Sequence, residues 1–280
     1  MKGIRAFIRG FGIRNVKPAA FGWIFNLAFA LIAFYSVEKL LSYAFGETLL
    51  AESVTPIGLF TLVSDVVRHC ADGVWVIASL GFFSVGLFLI VTIFLSGGVY
   101  AVLIFDEKGS FRNLISSAVE NFFKMAVVFL INIVTWLAAG FLSLLALFGF
   151  LKLRSVLSPR LPLEPFIWMG AGLAMVFLLY ASAVHDFSKI FRLREEKSGL
   201  ASFAKAIRFV SAHKLVVAVL SLLYLASGGV ILLVYGLLLG SRELAAAAPV
   251  AILFAVYEIV IYFRYYLKTV LIRAWIDIVS

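Results

Sequence analysis

The 280-residue chain is too apolar for a water-soluble protein. Hydrophobic residues make up 64% of it and charged residues 14%, and the mean hydropathy is +1.09, whereas soluble domains average about half apolar and about a quarter charged residues. The composition predicts an all-α integral membrane protein, because lipid is the solvent that accepts so much apolar surface. The net charge of +9 then concerns the membrane surface rather than nucleic acid, and the single cysteine, Cys70, excludes an internal disulfide.

Six apolar stretches are each about as long as a helix must be to cross the hydrocarbon layer, which takes about 20 residues. They predict six transmembrane helices within one domain that covers residues 1–280. The predicted spans are residues 19–37, 74–105, 122–150, 166–187, 215–240 and 247–272.

The distribution of basic residues predicts the orientation. With six spans, 18 of the 24 Lys and Arg residues fall in alternate segments on one side of the membrane and six on the other. Because Lys and Arg concentrate in cytoplasmic segments, the side with 18 is the cytoplasm, and it holds both termini.

Three stretches with apolar residues at helical spacing lead into the odd-numbered spans, at residues 6–17, 111–124 and 200–214. In the last, Lys205, Arg208 and Lys214 lie among apolar positions, which is typical of a helix in the interface plane. Two of these approaches align at a constant offset of 89 residues, Glu107 with Glu196. They suggest three modules of amphipathic helix plus helix pair, at residues 1–105, 106–187 and 195–280.

A few polar side chains fall inside or at the ends of the predicted spans. Glu258 lies within the last span, where a carboxylate must be paired, protonated or hydrated, and Asn132 or His185 could partner it. Fixing helix register, handling protons or substrate, and contacting a partner subunit all stay open as its role. Asn26 and Asn132 favour hydrogen bonding between helices. His185 and Asp186 end the fourth span, where they are expected to anchor the helix at the interface, the alternative being that they shuttle protons or bind a metal.

Basic and aromatic residues near the end of the last span predict an anchoring belt at the inner interface. Tyr262, Tyr265 and Tyr266 alternate there with the cations Arg264, Lys268 and Arg273. Such a belt also suits an anionic lipid head group.

The sequence resembles a group of bacterial six-helix inner-membrane proteins. Its basic lead-in at residues 7–11, the Ser96, Gly97, Gly98 run, the loop at residues 106–111 and the helix at residues 203–214 are similar in layout to the YciC-like group and to glycerophosphoryl diester phosphodiesterase membrane domains. The resemblance covers most of the chain, but by pattern, without a diagnostic motif. It implies a bacterial inner membrane protein and carries over no active site.

Three functions are compatible with these residues. The first is a non-catalytic multi-pass subunit or scaffold that packs with other membrane proteins or organises lipid, in which an outer segment at residues 59–67 could dock a partner. The second is a permease or channel with a polar path near Glu258, Asn26, Asn132 and His185. The third is a lipid-acting enzyme using Asp106, Glu107, Glu195 and Glu196. Because no catalytic, cofactor or metal motif is found, we expect the first, with no enzyme activity, cofactor or metal.

Overall fold

The computed structural model describes residues 2–45, 71–106, 109–157, 162–195, 198–240 and 250–279. Within these residues the chain is helical and contains no strand, which confirms the all-α class. The helices are α1 (Lys2–Gly10), a 3₁₀ turn (Ile13–Asn15), α2 (Val16–Phe45), α3 (Ala71–Ile104), α4 (Phe111–Leu157), α5 (Glu164–Glu195), α6 (Gly199–Ala212), α7 (Lys214–Gly240) and α8 (Val250–Val279).

Local sequence signals mark several helix ends. Ser110 and Ser198 precede α4 and α6, and each side-chain oxygen accepts a hydrogen bond from a backbone N–H of the first turn, from Asn113 at 3.2 Å and from Ala201 at 3.3 Å. A serine at this position satisfies a donor that the helix itself leaves unpaired. α3 is followed by Asp106 with φ of 51°, a left-handed conformation that Asp adopts more readily than most residues.

Four helices are long and apolar enough to cross a membrane, within the part of the chain that the structure describes. They are the Phe82–Ile104 part of α3, the whole of α4 (Phe111–Leu157) and of α5 (Glu164–Glu195), and the Lys214–Val234 part of α7. Helix α2 contains the predicted first span, and α8 contains residues 250–272 of the predicted sixth. Each has 30 residues, but neither is among the four. Six crossings therefore stay a prediction.

The lead-in segments of the second and third predicted modules differ in the structure. Residues 111–124 form the first turns of α4, which continues without a break for 47 residues, whereas α6 and α7 are separate helices. At about 1.5 Å per residue, α4 is about 70 Å long and exceeds the thickness of the hydrocarbon layer. The break after α6 lies at His213, whose φ of −112° and ψ of 28° leave the helical region. Ser110 and Ser198 are 88 residues apart, one fewer than the offset between the aligned sequences.

Two compact units divide the chain. The first comprises Met1–Gly22 and Ile93–Ser280, and the second comprises Trp23–Thr92. In the second unit the described residues belong to α2 and α3, and Asn26 is half-buried there. The amphipathic pattern at residues 59–67 lies outside the described residues, as do Glu107 and Glu196.

The first unit is packed very differently along the length of its helices. Nearly every residue from 181 to 193 of α5 is buried or half-buried, against residues 95–103 of α3 and 267–276 of α8; we call this the packed end. Residues 134–157 of α4 and 164–180 of α5 form the open end. There the buried positions are small residues, namely Ala139, Ser143, Ala146, Gly170 and Ala174.

Small residues bring helices close together at both ends of the first unit. A Cβ on Gly98 would lie 2.3 Å from the carbonyl oxygen of Leu114, and one on Gly97 would lie 3.1 Å from that of Ala118, so α3 and α4 touch along their backbones. Between α4 and α5, the hydroxyl of Ser143 donates to the carbonyl of Ala174 at 3.2 Å. At Gly236 of α7, by contrast, an added Cβ would meet no described atom within 4 Å.

Candidate functional site

Asp186 is the centre of a buried charge cluster at the packed end. Its residue exposure is 3%. The Tyr100 hydroxyl donates to one carboxylate oxygen at 2.6 Å, and the Lys268 ammonium donates to the other in an ion pair. These contacts join α3, α5 and α8 at one carboxylate.

Lys189 adds a second cation to the cluster. It follows Asp186 by three residues, so both side chains lie on neighbouring positions of the α5 surface. Lys189 is 7% exposed, donates to the Ser96 hydroxyl at 3.2 Å and holds its ammonium 5.0 Å from the centre of the Tyr100 ring. We define the charge cluster as Ser96, Tyr100, Asp186, Lys189 and Lys268. It contains two lysines and one carboxylate, an arrangement that is costly to bury unless the surrounding structure fixes it.

Apolar packing around α5 provides that fixed environment. Phe187, which follows Asp186, and Ile190, which follows Lys189, are fully buried. Phe187 packs on Trp275 of α8 with ring centres 4.8 Å apart. Phe209 of α6 lies at the same 4.8 Å from the Phe187 ring. Aromatic contacts of this kind add to the area burial of the rings. The cluster thus lies in an apolar shell contributed by α5, α6 and α8.

A second, exposed group of charges lies where α3 ends. Asp106 accepts from Arg14 at 3.0 Å and is paired with Arg273 at 3.1 Å, and its side chain is 54% exposed. Arg273 also donates to the carbonyl of Leu103 at 3.0 Å, which satisfies one of the last carbonyls of α3. We call Arg14, Asp106 and Arg273 the rim group. It joins the α1–α2 junction, α3 and α8.

His185 and Asn132 lie at the contact between α4 and α5. The His185 ring is 6.1 Å from the Phe129 ring and 6.5 Å from the Trp136 ring, the two residues that flank Asn132 on one face of α4. Asn132 is fully buried, and its amide donates to the carbonyl of Val128 of its own helix at 2.8 Å. The Asn132 Oδ1 and His185 Nδ1 atoms are buried without a hydrogen-bond partner among the described residues. The His185 side chain therefore lies against α4, whereas the Asp186 side chain contacts α3 and α8.

The other predicted residues are spread over the fold. Glu258 is 6% exposed, on the part of α8 that precedes the charge cluster. Of the residues predicted to meet lipid head groups, Lys268 belongs to the charge cluster and Arg273 to the rim group, while Lys205 forms an ion pair with Glu195. Arg264, Arg208 and Lys214 are exposed.

Comparisons with protein-family models, with curated proteins and with solved structures found no match. The site is therefore interpreted from its own geometry. Among the described residues no three His, Cys, Asp or Glu side chains are grouped closely enough to hold a metal ion. What the cluster can do chemically is hold opposite charges out of water and transfer protons along hydrogen bonds.

The sequence did not single out Tyr100 or Lys189 as site residues, and Ser96 entered only through the Ser96, Gly97, Gly98 run. A signal for the lysine was present, because Asp186 and Lys189 have the spacing of a helical ion pair and an apolar residue follows each of them. For Tyr100 the sequence holds no such signal, since a tyrosine near the end of an apolar span equally suits an interfacial anchor.

Proposed function

We propose that this protein is a non-catalytic, multi-pass subunit or scaffold of the bacterial inner membrane, which packs with other membrane proteins or organises lipid. In this proposal the chain crosses the bilayer six times and both termini are cytoplasmic. The resemblance to bacterial six-helix membrane proteins and the excess of basic residues on one side support this location.

The observation that carries the proposal is the internal pairing of the charge cluster. Asp186 accepts hydrogen bonds from two helices, and Lys189 is enclosed by Ser96 and the Tyr100 ring. Charges that bind one another inside an apolar shell fix the helices in one arrangement. A fixed arrangement of helices suits a rigid subunit better than an enzyme or a transporter that must change conformation.

The open end supports the same function by its surface. Trp168 is 74% exposed and Val156 is 71% exposed, and Phe148 is 66% exposed. Apolar side chains this exposed need lipid or another membrane protein against them. The open end offers a rigid face for partner helices while the packed end holds the subunit together.

The test is recovery of a partner through the open end. A photo-crosslinking amino acid at Trp168 is expected to give an adduct with a defined membrane protein, and the same partner should copurify with the full-length chain in mild detergent at fixed stoichiometry. The matched control places the crosslinker at Ile190, which is fully buried, and should give no adduct. Recovery only as a lone monomer, with lipid as the sole adduct at Trp168, would argue against a subunit role.

A permease or channel is the second candidate, and one observation favours it. The Asn132 Oδ1 and His185 Nδ1 atoms are buried at one helix contact and make no hydrogen bond within the described residues. Polar atoms in that state suit a place where water or a solute binds. Solute or ion flux into proteoliposomes that Asn132→Leu abolishes, and that Ser143→Ala leaves unchanged, would favour this candidate over the scaffold.

A further inference from the structure

A cavity of about 440 Å³ opens where the C-terminal ends of α5 and α8 meet α6. We call it the terminal cavity; its lining residues are Phe191, Arg194, Glu195, Lys205, Phe209 and Val279. The volume falls in the range of small-molecule sites, about 300–1,000 Å³. None of these residues belongs to the charge cluster or the rim group.

The floor of the terminal cavity is aromatic and its edge is charged. Phe191 and Phe209 meet edge to face with ring centres 5.7 Å apart, and the Lys205 ammonium lies 4.7 Å from the centre of the Phe191 ring. Lys205 is also ion-paired with Glu195, and their side chains are 44% and 23% exposed. A pair this exposed contributes little stability. Lys205 can therefore exchange Glu195 for an anionic group of a ligand, and Glu195 can exchange Lys205 for a cationic one.

Charges of both signs meet in the terminal cavity. Arg194 and Lys205 supply positive charge, and Glu195 supplies negative charge. In addition, α5 and α8 both end at this cavity, at Glu195 and Val279. The last carbonyls of a helix carry partial negative charge and accept hydrogen bonds. A purely anionic ligand would therefore meet a carboxylate and two negative helix ends, whereas a zwitterion finds a counterpart for each of its charges.

We propose that the terminal cavity binds the head group of a phospholipid with a primary amine, of the phosphatidylethanolamine type. Its phosphate accepts hydrogen bonds from Arg194 and Lys205, and its ammonium donates to Glu195 and the helix-end carbonyls. The glycerol and the first methylenes lie on Phe209 and Val279. A choline head group has the same charges but no N–H to donate, so it cannot satisfy these acceptors.

This inference rests on the proposed location of α6 at the inner membrane surface, where its basic residues meet head groups. It deepens the lipid-organising part of the proposed function and does not depend on a protein partner.

Native mass spectrometry of the full-length chain tests the site. The probes are phosphatidylethanolamine, phosphatidylcholine and phosphatidylglycerol with identical acyl chains, added to delipidated protein in mild detergent. We expect phosphatidylethanolamine to bind about tenfold more tightly than either of the others, the size of effect that one charged hydrogen bond gives. Equal retention of the three lipids, or a preference for phosphatidylglycerol, would overturn the proposal.

Variants assign the binding to the terminal cavity. Lys205→Gln should lower phosphatidylethanolamine binding about tenfold, and Glu195→Gln should lower it while leaving phosphatidylglycerol binding unchanged or stronger. The matched control is Arg208→Gln, because Arg208 is an exposed cation of the same helix that does not line the cavity. This variant should leave the binding of all three lipids unchanged. Unchanged binding in both cavity variants would refute the site, and if Lys205→Gln does not fold, the lipid preference of Glu195→Gln decides.

The two proposals can fail separately. Loss of the lipid preference with a partner still recovered through Trp168 overturns the terminal cavity alone. A persistent preference for phosphatidylethanolamine in a protein recovered only as a lone monomer overturns the subunit role alone.

Discussion

The two ends of α5 differ both in composition and in surroundings, because residues 181–193 include Asp186 and Lys189 whereas residues 165–180 carry no charge. At the open end, residues 164–180 bury little beyond Gly170 and Ala174, whereas at the packed end residues 181–193 are enclosed by α3, α6 and α8. Asp186 and Lys189 lie at the packed end. The difference shows that charges inside this fold are found where many contacts fix them, and that the surface left apolar is the one that lipid or a partner must cover.

The largest expected effect comes from breaking the charge cluster. Asp186→Asn removes the carboxylate that Tyr100 and Lys268 share and leaves two lysines without it. Removing one partner of a buried charge pair costs about 3–5 kcal/mol of unfolding free energy. Denaturant unfolding in detergent, followed by circular dichroism, measures the loss.

The control for that variant is Asp277→Asn, an exposed acid on the same helix as Lys268, which should change stability by less than about 0.5 kcal/mol. A double variant with Asp186→Asn and Lys268→Met should recover part of the loss, because it removes one of the uncompensated cations. If the single variant Asp186→Asn is as stable as the wild-type protein, the charge cluster does not hold the packed end together.

A smaller effect is expected from filling a close approach between helices. Gly98→Ala places a Cβ 2.3 Å from the Leu114 carbonyl oxygen, and because that atom is backbone, α3 and α4 must move apart. We expect a loss of about 1–3 kcal/mol. Thermal unfolding of the purified chain measures it.

Glycines of the open end provide the comparison for Gly98. A Cβ on Gly140 or Gly172 would meet no described atom within 4 Å, so Gly140→Ala and Gly172→Ala should be neutral or slightly stabilising, since Ala favours helix by up to about 1 kcal/mol. If these variants lose as much stability as Gly98→Ala, the packed and open ends do not differ as described.

The smallest effect is expected at the rim group. Asp106→Asn removes the ion pairs with Arg14 and Arg273, but asparagine tolerates the φ of 51° as well as aspartate does. Because the side chains are exposed, the loss should stay below about 1 kcal/mol and should shrink at high salt. Unfolding at low and high ionic strength measures both. A loss comparable to that of Asp186→Asn would mean that the rim, rather than the buried cluster, joins α3 to α8.

Hydropathy alone predicted the helical membrane class. Hydropathy could not show that residues 181–193 of α5 are enclosed while residues 164–180 stay open, because burial depends on which helices lie alongside. Lys268 illustrates the limit: its sequence context suits a lipid-facing cation, whereas its partner is Asp186, 82 residues earlier in the chain. Similarly, the aligned segments of α4 and α6 do not reveal that a break follows only the second, at His213.

The most direct test of this account is quenching of a fluorescent probe placed along α5 in nanodiscs, with lipid-soluble and water-soluble quenchers compared. Introduced at Val176, which is 57% exposed, the probe should be quenched from the lipid phase and protected from the aqueous quencher. At Ile190, which is fully buried, both quenchers should fail. Aqueous quenching at Val176 that equals the lipid quenching would contradict the assignment of the open end to the membrane.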